Sequence, residues 1–430
     1  MRLASFKSSF FSTRSPKGAK SYASFLRPSL RTSMALLLAG ATMNSALANE
    51  QFASCTAALA DKAKQEGVSQ QTIDDVFPRL VHQDRVIELD RSQPEFVQTF
   101  PGYFSKRVTD WRTEKGKEMY AKHDKLLHKL SEKYGVPPHY LLAFWGLETN
   151  FGSYKGKMPV LDSLATLACD KRRSTYFTQE FLVAVKLMER EKLQKEDMIG
   201  SWAGAMGHTQ FMPSAYTHYA IDGDGDGQIN LWASEEDALS SAANFLANLG
   251  WERSFRWGRE VQLPENFDYQ ESGYKNRKSL SEWHAQGVKK ADGSELGEGD
   301  TTAYVIVPAG HNGPAFIAYK NFRVIMRWNN SEFYAIAVGV LADRIAGASG
   351  IKATLPDLPA YNRKDIIALQ SKLNDLGFDV GKPDGIIGPA TREGIRNYQI
   401  SNNMIADGFP GLEVMAALNV ELERDKATQS

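Results

Sequence analysis

Between about residue 55 and residue 250 the apolar side chains recur every three or four positions, with few β-branched runs. A stretch this long with that period folds as packed helices and leaves little room for a central sheet. Gly135-Val-Pro-Pro138 sets up a helix start, because proline is tolerated in a first turn, and Gly152 supplies the stop. Residues 301–307 and 315–319 read as strands around the turn His311-Asn-Gly-Pro314, and Ser331–Ile345 reads as a helix. The polar region 259–300 is expected to be a small β-containing insertion or a long loop. Pro356 and Pro359 mark a linker. Beyond it Ile366, Leu369, Leu373 and Leu376 repeat at helical spacing, and Asp384-Gly-Ile-Ile-Gly-Pro-Ala-Thr391 turns into another helix. The fold class predicted is mainly α (α+β). It comprises a large helical domain over 49–353 with a small β-containing subdomain, a linker over 354–363, a small helical module over 364–420 and a tail over 421–430.

Residues 1–48 hold seven basic residues and no acidic one. The basic stretch leads into Met34-Ala-Leu-Leu-Leu-Ala-Gly-Ala-Thr-Met43 and then Ala46-Leu-Ala48, the layout of a secretory signal peptide with its cut site. Its apolar run is too short to span a bilayer comfortably, and no other segment is long enough, so no transmembrane segment is expected. Of 51 basic residues the leader takes seven, leaving 44 against 51 acidic and a net charge of −7. An acidic chain of this kind argues against nucleic acid held through its phosphates. Export places the protein in the periplasm, an oxidising compartment, where Cys55 and Cys169 either form one disulfide or remain two buried thiols.

Three groups of residues can carry chemistry. On the helix starting near Pro137, Leu141, Phe144, Trp145 and Glu148 fall at i, i+3, i+4 and i+7 and share one face. A carboxylate on an aromatic stripe near a helix C-terminus has its pKa raised by desolvation and by the helix dipole, as a general acid requires. The competing reading is a helix-end glutamate that bends to water or pairs with Lys155. The second group is Gly200-Ser-Trp-Ala-Gly-Ala-Met-Gly-His-Thr-Gln-Phe-Met-Pro-Ser214, where Ser201 and Gln210 sit among aromatics and methionines. That mixture suits a sugar cleft or, equally, a tight helix–helix contact. His208 is read as structural. The third is Asp222-Gly-Asp-Gly-Asp-Gly-Gln228, which matches the start of an EF-hand calcium loop but has Ala233 at the closing position. A longer loop closes through Glu235, Glu236 or Asp237; a polar glycine-rich turn without metal is the alternative.

These residues resemble the lytic murein transglycosylases of the membrane-bound B type, glycoside hydrolase family 103. The resemblance runs through Tyr134-Gly-Val-Pro-Pro138, Trp145-Gly-Leu-Glu-Thr-Asn-Phe-Gly152, Leu164-Ala-Thr-Leu167, the 200–214 segment, Asn230-Leu-Trp232 and Arg327-Trp-Asn-Asn-Ser331. The stretch from Ile366 to Leu418 is similar to a peptidoglycan-binding module. The resemblance implies a lysozyme-like helical catalytic domain that cuts peptidoglycan glycan strands. It assigns Glu148 as the single acid/base and Tyr103, Ser201, Gln210, Trp328, Asn329 and Tyr334 as the lining of the saccharide cleft. For the loop it implies a structural Ca2+ held by Asp222, Asp224, Asp226, Gln228 and Asp237. No cofactor is implied for the chemistry. The partners implied are the glycan strands and cell-wall synthesis or division complexes, with the chain itself a monomer.

A glycosidase of the common kind needs two carboxyl groups, one to protonate the leaving oxygen and one to attack or to activate water. A transglycosylase manages with one, because the C6 hydroxyl of the muramyl sugar is a tethered nucleophile of high effective concentration. Two other readings remain at this level. One is a muramidase that hydrolyses the same bond; the other is a wall-anchoring protein that binds without cutting.

Overall fold

The computed structural model describes residues 50–92, 98–253, 255–358 and 361–422. The leader with its cut site, Pro359 and the tail beyond residue 422 lie outside the described residues. A helix over residues 50–65 (α1) is followed by α2 (Gln70–Val76), α3 (Asp84–Ser92), α4 (Phe100–Arg107), α5 (Asp110–Lys122), α6 (Asp124–Tyr134) and α7 (Pro138–Thr149). The short strand β1 (Met158–Pro159) leads to α8 (Val160–Cys169) and α9 (Ser174–Arg190). It pairs antiparallel with β2 (Ile199–Gly200), after which come α10 (Pro213–Tyr219) and α11 (Glu235–Asn248). Local chemistry sets several starts: Thr109 accepts from the N–H of Arg112 to cap α5, and Ser234 accepts from that of Asp237 to cap α11.

The helices bury two separate apolar cores. One gathers Leu127, Leu141, Phe144, Leu246 and Ile336; the other gathers Leu59, Ile73, Leu164, Phe181 and Tyr216. Trp328 packs against both. A disulfide joins Cys55 in α1 to Cys169 at the end of α8, across a sequence separation of 114 residues.

Region 259–300 is a folded subdomain rather than a long loop. It contributes β3 (Gly258–Gln262), β4 (Lys278–Ser279), α12 (Leu280–Ala285) and β5 (Lys289–Lys290). With β6 (Thr302–Ile306) and β7 (Ala315–Ala318) these strands form an antiparallel sheet of order β4-β6-β7-β3-β5. Every residue of the central strand β7 is buried, and Val261, Trp283, Val305 and Ile317 share the subdomain's core. The helices α13 (Lys320–Trp328) and α14 (Glu332–Ile345) return to the helical domain, with Ser331 capping α14.

The C-terminal module packs α15 (Arg363–Asp375), α16 (Pro389–Ser401) and α17 (Leu412–Ala417) around Ile366, Leu369, Leu373, Ile395 and Val414. Asn362 and Asp365 form a reciprocal capping box that starts α15 one residue ahead of position 364. Contact with the rest of the chain runs through His311, whose Nδ1 lies 2.7 Å from Oδ2 of Asp407, and through Lys275 and Glu393 at 3.5 Å. No helix of the described residues is long and apolar enough to cross a membrane.

Candidate active site

The helix α7 differs from the single apolar stripe expected of it. From Tyr140 to Thr149 every residue except Glu148 is buried, so it is a core helix, apolar all round, with one half-buried carboxylate in its last turn. Its stop also differs. The chain leaves the helix at Asn150 and Phe151, both left-handed with φ of 50° and 58°. Asparagine tolerates that conformation; Phe151 is held in it by burial against the Trp145 ring. Gly152 is required for space, since a Cβ there would lie 2.2 Å from Cε1 of His208.

Glu148 is held by two donors. The Tyr334 hydroxyl donates to its Oε1 at 2.5 Å and the Trp328 indole N–H at 3.0 Å. No described residue donates to Oε2. Burial pushes the Glu148 pKa up to about 7, while the bonds from Tyr334 and Trp328 and the nearby Arg107 charge pull the other way. Desolvation wins, and the carboxyl is poised between its two forms near neutrality. With Oε1 already saturated by two donors, the proton belongs on Oε2. Lys155 is not its partner: the ammonium lies 3.4 Å from Nε2 of His208. No carboxylate is among the described groups that shift Glu148.

The expected cleft residues divide. Tyr334, expected at the cleft lining, is 4 % exposed and spends its hydroxyl on Glu148, so it lies beneath the carboxylate. Trp328 is half-buried among Phe144, Phe211 and Phe245 with ring separations of 4.6, 5.4 and 5.1 Å, and its indole likewise orients the acid. Tyr103 is buried against Phe333, with the Arg107 guanidinium over its ring. Ser201 and Gln210 belong to the loop that brings Phe211 to Trp328. Ser201 Oγ accepts from the Ala205 N–H, and the Gln210 amide N–H bonds Lys155 O and Gly207 O, which leaves its Oε1 free to accept. Gln210 has a left-handed φ of 51°, backbone strain of the kind stored at binding sites. Asn329 is exposed at the end of α13.

The 200–214 segment is in part a packing device, since a Cβ at Gly200 would lie 2.1 Å from Ala205 O. His208 is buried. Its Nδ1 accepts the Trp145 indole N–H at 3.0 Å, and burial, aided by Lys155, lowers its pKa to about 4. It stays neutral and structural, as the sequence suggested. Sequence reasoning missed two supports. Thr149 Oγ1 donates to His208 O at 2.8 Å, and Arg112 bonds Asn150 Oδ1 as well as the carbonyls of Lys106 and Arg107, tying α4 to the turn that bears Glu148. Thr149 stands in the Glu-Thr motif and was legible there; Arg112 carried no signal.

In the acidic loop, Asp222, Asp224 and Asp237 offer oxygens within 4.8 Å of one another. Asp226 is outside that group among the described residues, and its Oδ1 accepts the N–H of Gln228 at 2.8 Å. Three carboxylates of the expected five-residue set thus already stand together; Asp226 and Gln228 sit at positions 5 and 7 of the loop, where an EF-type site takes a side-chain oxygen and a backbone carbonyl. Of the three candidate closing acids it is Asp237 that joins the cluster, while Glu235 pairs with Lys122 and His123. The backbone N–H groups of Gly223 and Asn230 fix both Asp237 oxygens, each at 2.7 Å. Three clustered hard oxygen donors on a glycine-rich loop fit a calcium-sized cation.

Comparison with known proteins gives the same outline. Residues 51–343 match the transglycosylase SLT domain family, and residues 362–418 match a peptidoglycan binding domain family. The membrane-bound lytic murein transglycosylase B of Escherichia coli K12 is 30% identical over 292 residues, which span 65% of this chain and 79% of that protein. The crystal structure of SltB3 from Pseudomonas aeruginosa in complex with NAG-anhNAM-pentapeptide is 39% identical. It superposes with a TM-score of 0.82 over 86% of this chain and 99% of that one. The Escherichia coli lytic transglycosylase Slt35 in complex with calcium is 30% identical, with a TM-score of 0.59 over 68% of this chain and 92% of that one.

Proposed function

The chain belongs to the transglycosylase SLT family of lytic murein transglycosylases, which cleave peptidoglycan glycan strands, and from that premise we propose that Glu148 is its single acid/base. The bond broken is N-acetylmuramic acid to N-acetylglucosamine, and the product carries a 1,6-anhydro muramyl end. The observation that carries this reading is the environment of Glu148: a desolvated carboxyl, two donors on Oε1, and no second carboxylate among the described groups acting on it. The NAG-anhNAM-pentapeptide bound by the P. aeruginosa relative agrees with such a product.

The proton inventory closes with one residue. Protonated Oε2 of Glu148 gives its hydrogen to the glycosidic oxygen as the C1–O bond breaks and positive charge develops at C1. The carboxylate so formed, steadied by Tyr334 and Trp328, takes the proton of the same sugar's C6 hydroxyl as that oxygen closes on C1. No water is consumed, and the acid is regenerated. Gln210, with a free carbonyl oxygen, and Ser201 and Asn329 supply polar contacts to the sugars. A muramidase would instead need a second carboxylate to activate water.

The remaining parts follow the same reading. The C-terminal module holds the strand, the exported protein works in the periplasm on wall turnover, and a Ca2+ bound by Asp222, Asp224 and Asp237 braces the acidic loop without entering the reaction. The test is mass spectrometry of muropeptides released from murein sacculi by wild type and by Glu148→Gln. Wild type is expected to release ends one water lighter than hydrolysed ends, and the variant almost none. Hydrolysed ends, or equal release by the variant, would overturn the proposal.

A further inference from the structure

A second depression, apart from the Glu148 carboxyl, opens beside α13. It has a volume of about 260 Å³ and is lined by Tyr274, Arg323, Met326, Arg327 and Asn330. Arg323 and Arg327 stand one turn apart on the helix, so their guanidinium groups share one face. Neither lies within ion-pair distance of a carboxylate among the described residues. Arg327 donates to the backbone carbonyl of Leu249 at 2.6 Å, which leaves its charge uncompensated. Glu332, at the start of α14, has its Oε2 taken by the Tyr274 hydroxyl at 2.6 Å. Next to Tyr274, Tyr304 is 3 % exposed, its hydroxyl has no partner among the described residues, and it feels the charges of Arg323 and Arg277 on one side and of Glu332 on the other. The result is a small cavity with surplus positive charge and spare donors.

Its size and position say what it takes. Pockets that enclose a whole small molecule run to roughly 300–1,000 Å³, so this one admits the end of a branch rather than a disaccharide. Two arginine forks match a carboxylate. Arg327 immediately precedes Trp328, which bonds Glu148, and Glu332 stands two residues before Tyr334, which does the same. The pocket therefore shares α13 with the wall that holds the acid, and Asn330 in its lining leads towards α14. A branch on a sugar seated at Glu148 needs only a few extended residues, at about 3.3 Å each, to reach it.

We propose that the Arg323–Arg327 pocket binds a carboxylate of the stem peptide carried by the muramyl residue, so that the enzyme distinguishes peptide-bearing from bare glycan strands. This rests on the function proposed above, and the assay separates the two. Wild type, Arg323→Ala and Arg323→Lys are compared on peptide-bearing strands and on strands stripped of peptide by an amidase. Arg323 is exposed and bonds no described residue, so its loss leaves the fold intact.

Expected is a fall in kcat/KM of about tenfold for Arg323→Ala on peptide-bearing strands, no change on bare strands, and partial recovery with lysine. Free stem peptide should inhibit wild type more than Arg323→Ala, and inorganic phosphate at matched ionic strength should inhibit neither. Equal losses on both strands, no loss on either, or equal inhibition by phosphate would each overturn the pocket's assignment. Failure of wild type to release anhydro ends from either strand would instead overturn the reading beneath it.

Discussion

The phenol of Tyr334 and the carboxyl of Glu148 meet at 2.5 Å across α14 and α7, and the bond falls on the same oxygen that receives the Trp328 indole. Both donors favour the charged form, so they pull the Glu148 pKa down against the burial that raises it to about 7. A general acid must be protonated, so activity is expected to decline as pH rises through about 7. Tyr334→Phe removes one stabiliser of the anion and should push the pKa higher by about one unit. The alkaline limb of the kcat/KM profile then moves up in pH, while kcat drops by about tenfold as the carboxyl loses its anchor. A profile that keeps its position would show that the bond does not tune the acid.

Glu148→Gln keeps an acceptor for both donors and removes the proton. The expected loss in kcat is about 10²–10⁴-fold. Stability should move the other way. A carboxyl whose folded pKa lies above the ordinary 4.5 stabilises the fold below 4.5, and loses that contribution as pH climbs through about 7. At pH 8 the wild-type charge is therefore a burden of about 1–3 kcal/mol that the amide lacks. Thermal unfolding should show the variant at least as stable as wild type at pH 8, with the advantage gone at pH 5.

Much of this was legible in the chain. The period of the helices and the strands around His311–Pro314 follow from spacing, whereas spacing alone left Glu148 open to bending to water or pairing with Lys155, and its reading as the acid came with the family resemblance. Other features follow from contacts distant in sequence. Trp328 and Tyr334 stand 180 and 186 residues from Glu148, and nothing in their own segments shows that they bond its carboxyl. The stop of α7 was read at Gly152 because glycine favours left-handed backbone; Gly152 does have a φ of 81°, but the turn begins two residues earlier, with Asn150 and Phe151 held left-handed by tertiary packing. Likewise it is α11 that presents Asp237 to Asp222 and Asp224, a placement among three neighbouring acids that sequence left open.

The Cys55–Cys169 disulfide closes a loop of 114 residues and fastens α1 to the second helical core. Chain entropy assigns such a cross-link about 4–5 kcal/mol. The double variant Cys55→Ser, Cys169→Ser should unfold at lower denaturant, with α1 amides exchanging hydrogen first. An unchanged midpoint would mean that packing of Phe52 and Leu59 holds the helix unaided.

Asp222, Asp224 and Asp237 repel one another unless a cation sits among them. Saturating CaCl2 at a hundredfold above its dissociation constant is expected to stabilise the protein by about 2.7 kcal/mol, read as a rise in Tm. Asp224→Ala should abolish that rise. Asp237 is the poorer probe, because it also satisfies the N–H groups of Gly223 and Asn230. A Tm insensitive to calcium would leave the loop as a turn held by its own hydrogen bonds.

His311 and Asp407 join the β-subdomain to the C-terminal module, and both pKa values are displaced in the sense that favours the charged pair. The hydrogen bond to Asp407 raises His311 above its ordinary 6.5, with the Glu413 charge adding to it. Burial works to raise Asp407, but bonds from His311, Gln399 and backbone N–H groups prevail and hold it below 3.8. The histidine's contribution is complete below 6.5 and fades as pH rises through its folded value. The aspartate's is complete above 3.8 and fades as pH falls through its own. Docking of the module should therefore be firmest in mildly acidic solution and loosen on the alkaline side. Hydrogen exchange at residues 309–313 and 405–411, corrected for intrinsic rates, should be faster at pH 8.5 than at pH 6. His311→Ala should be fast at both. Protection that stays constant across that range in wild type would assign the contact to the Gly310–Phe409 packing, where a Cβ on the glycine would lie 3.0 Å from the ring, instead of to the ion pair.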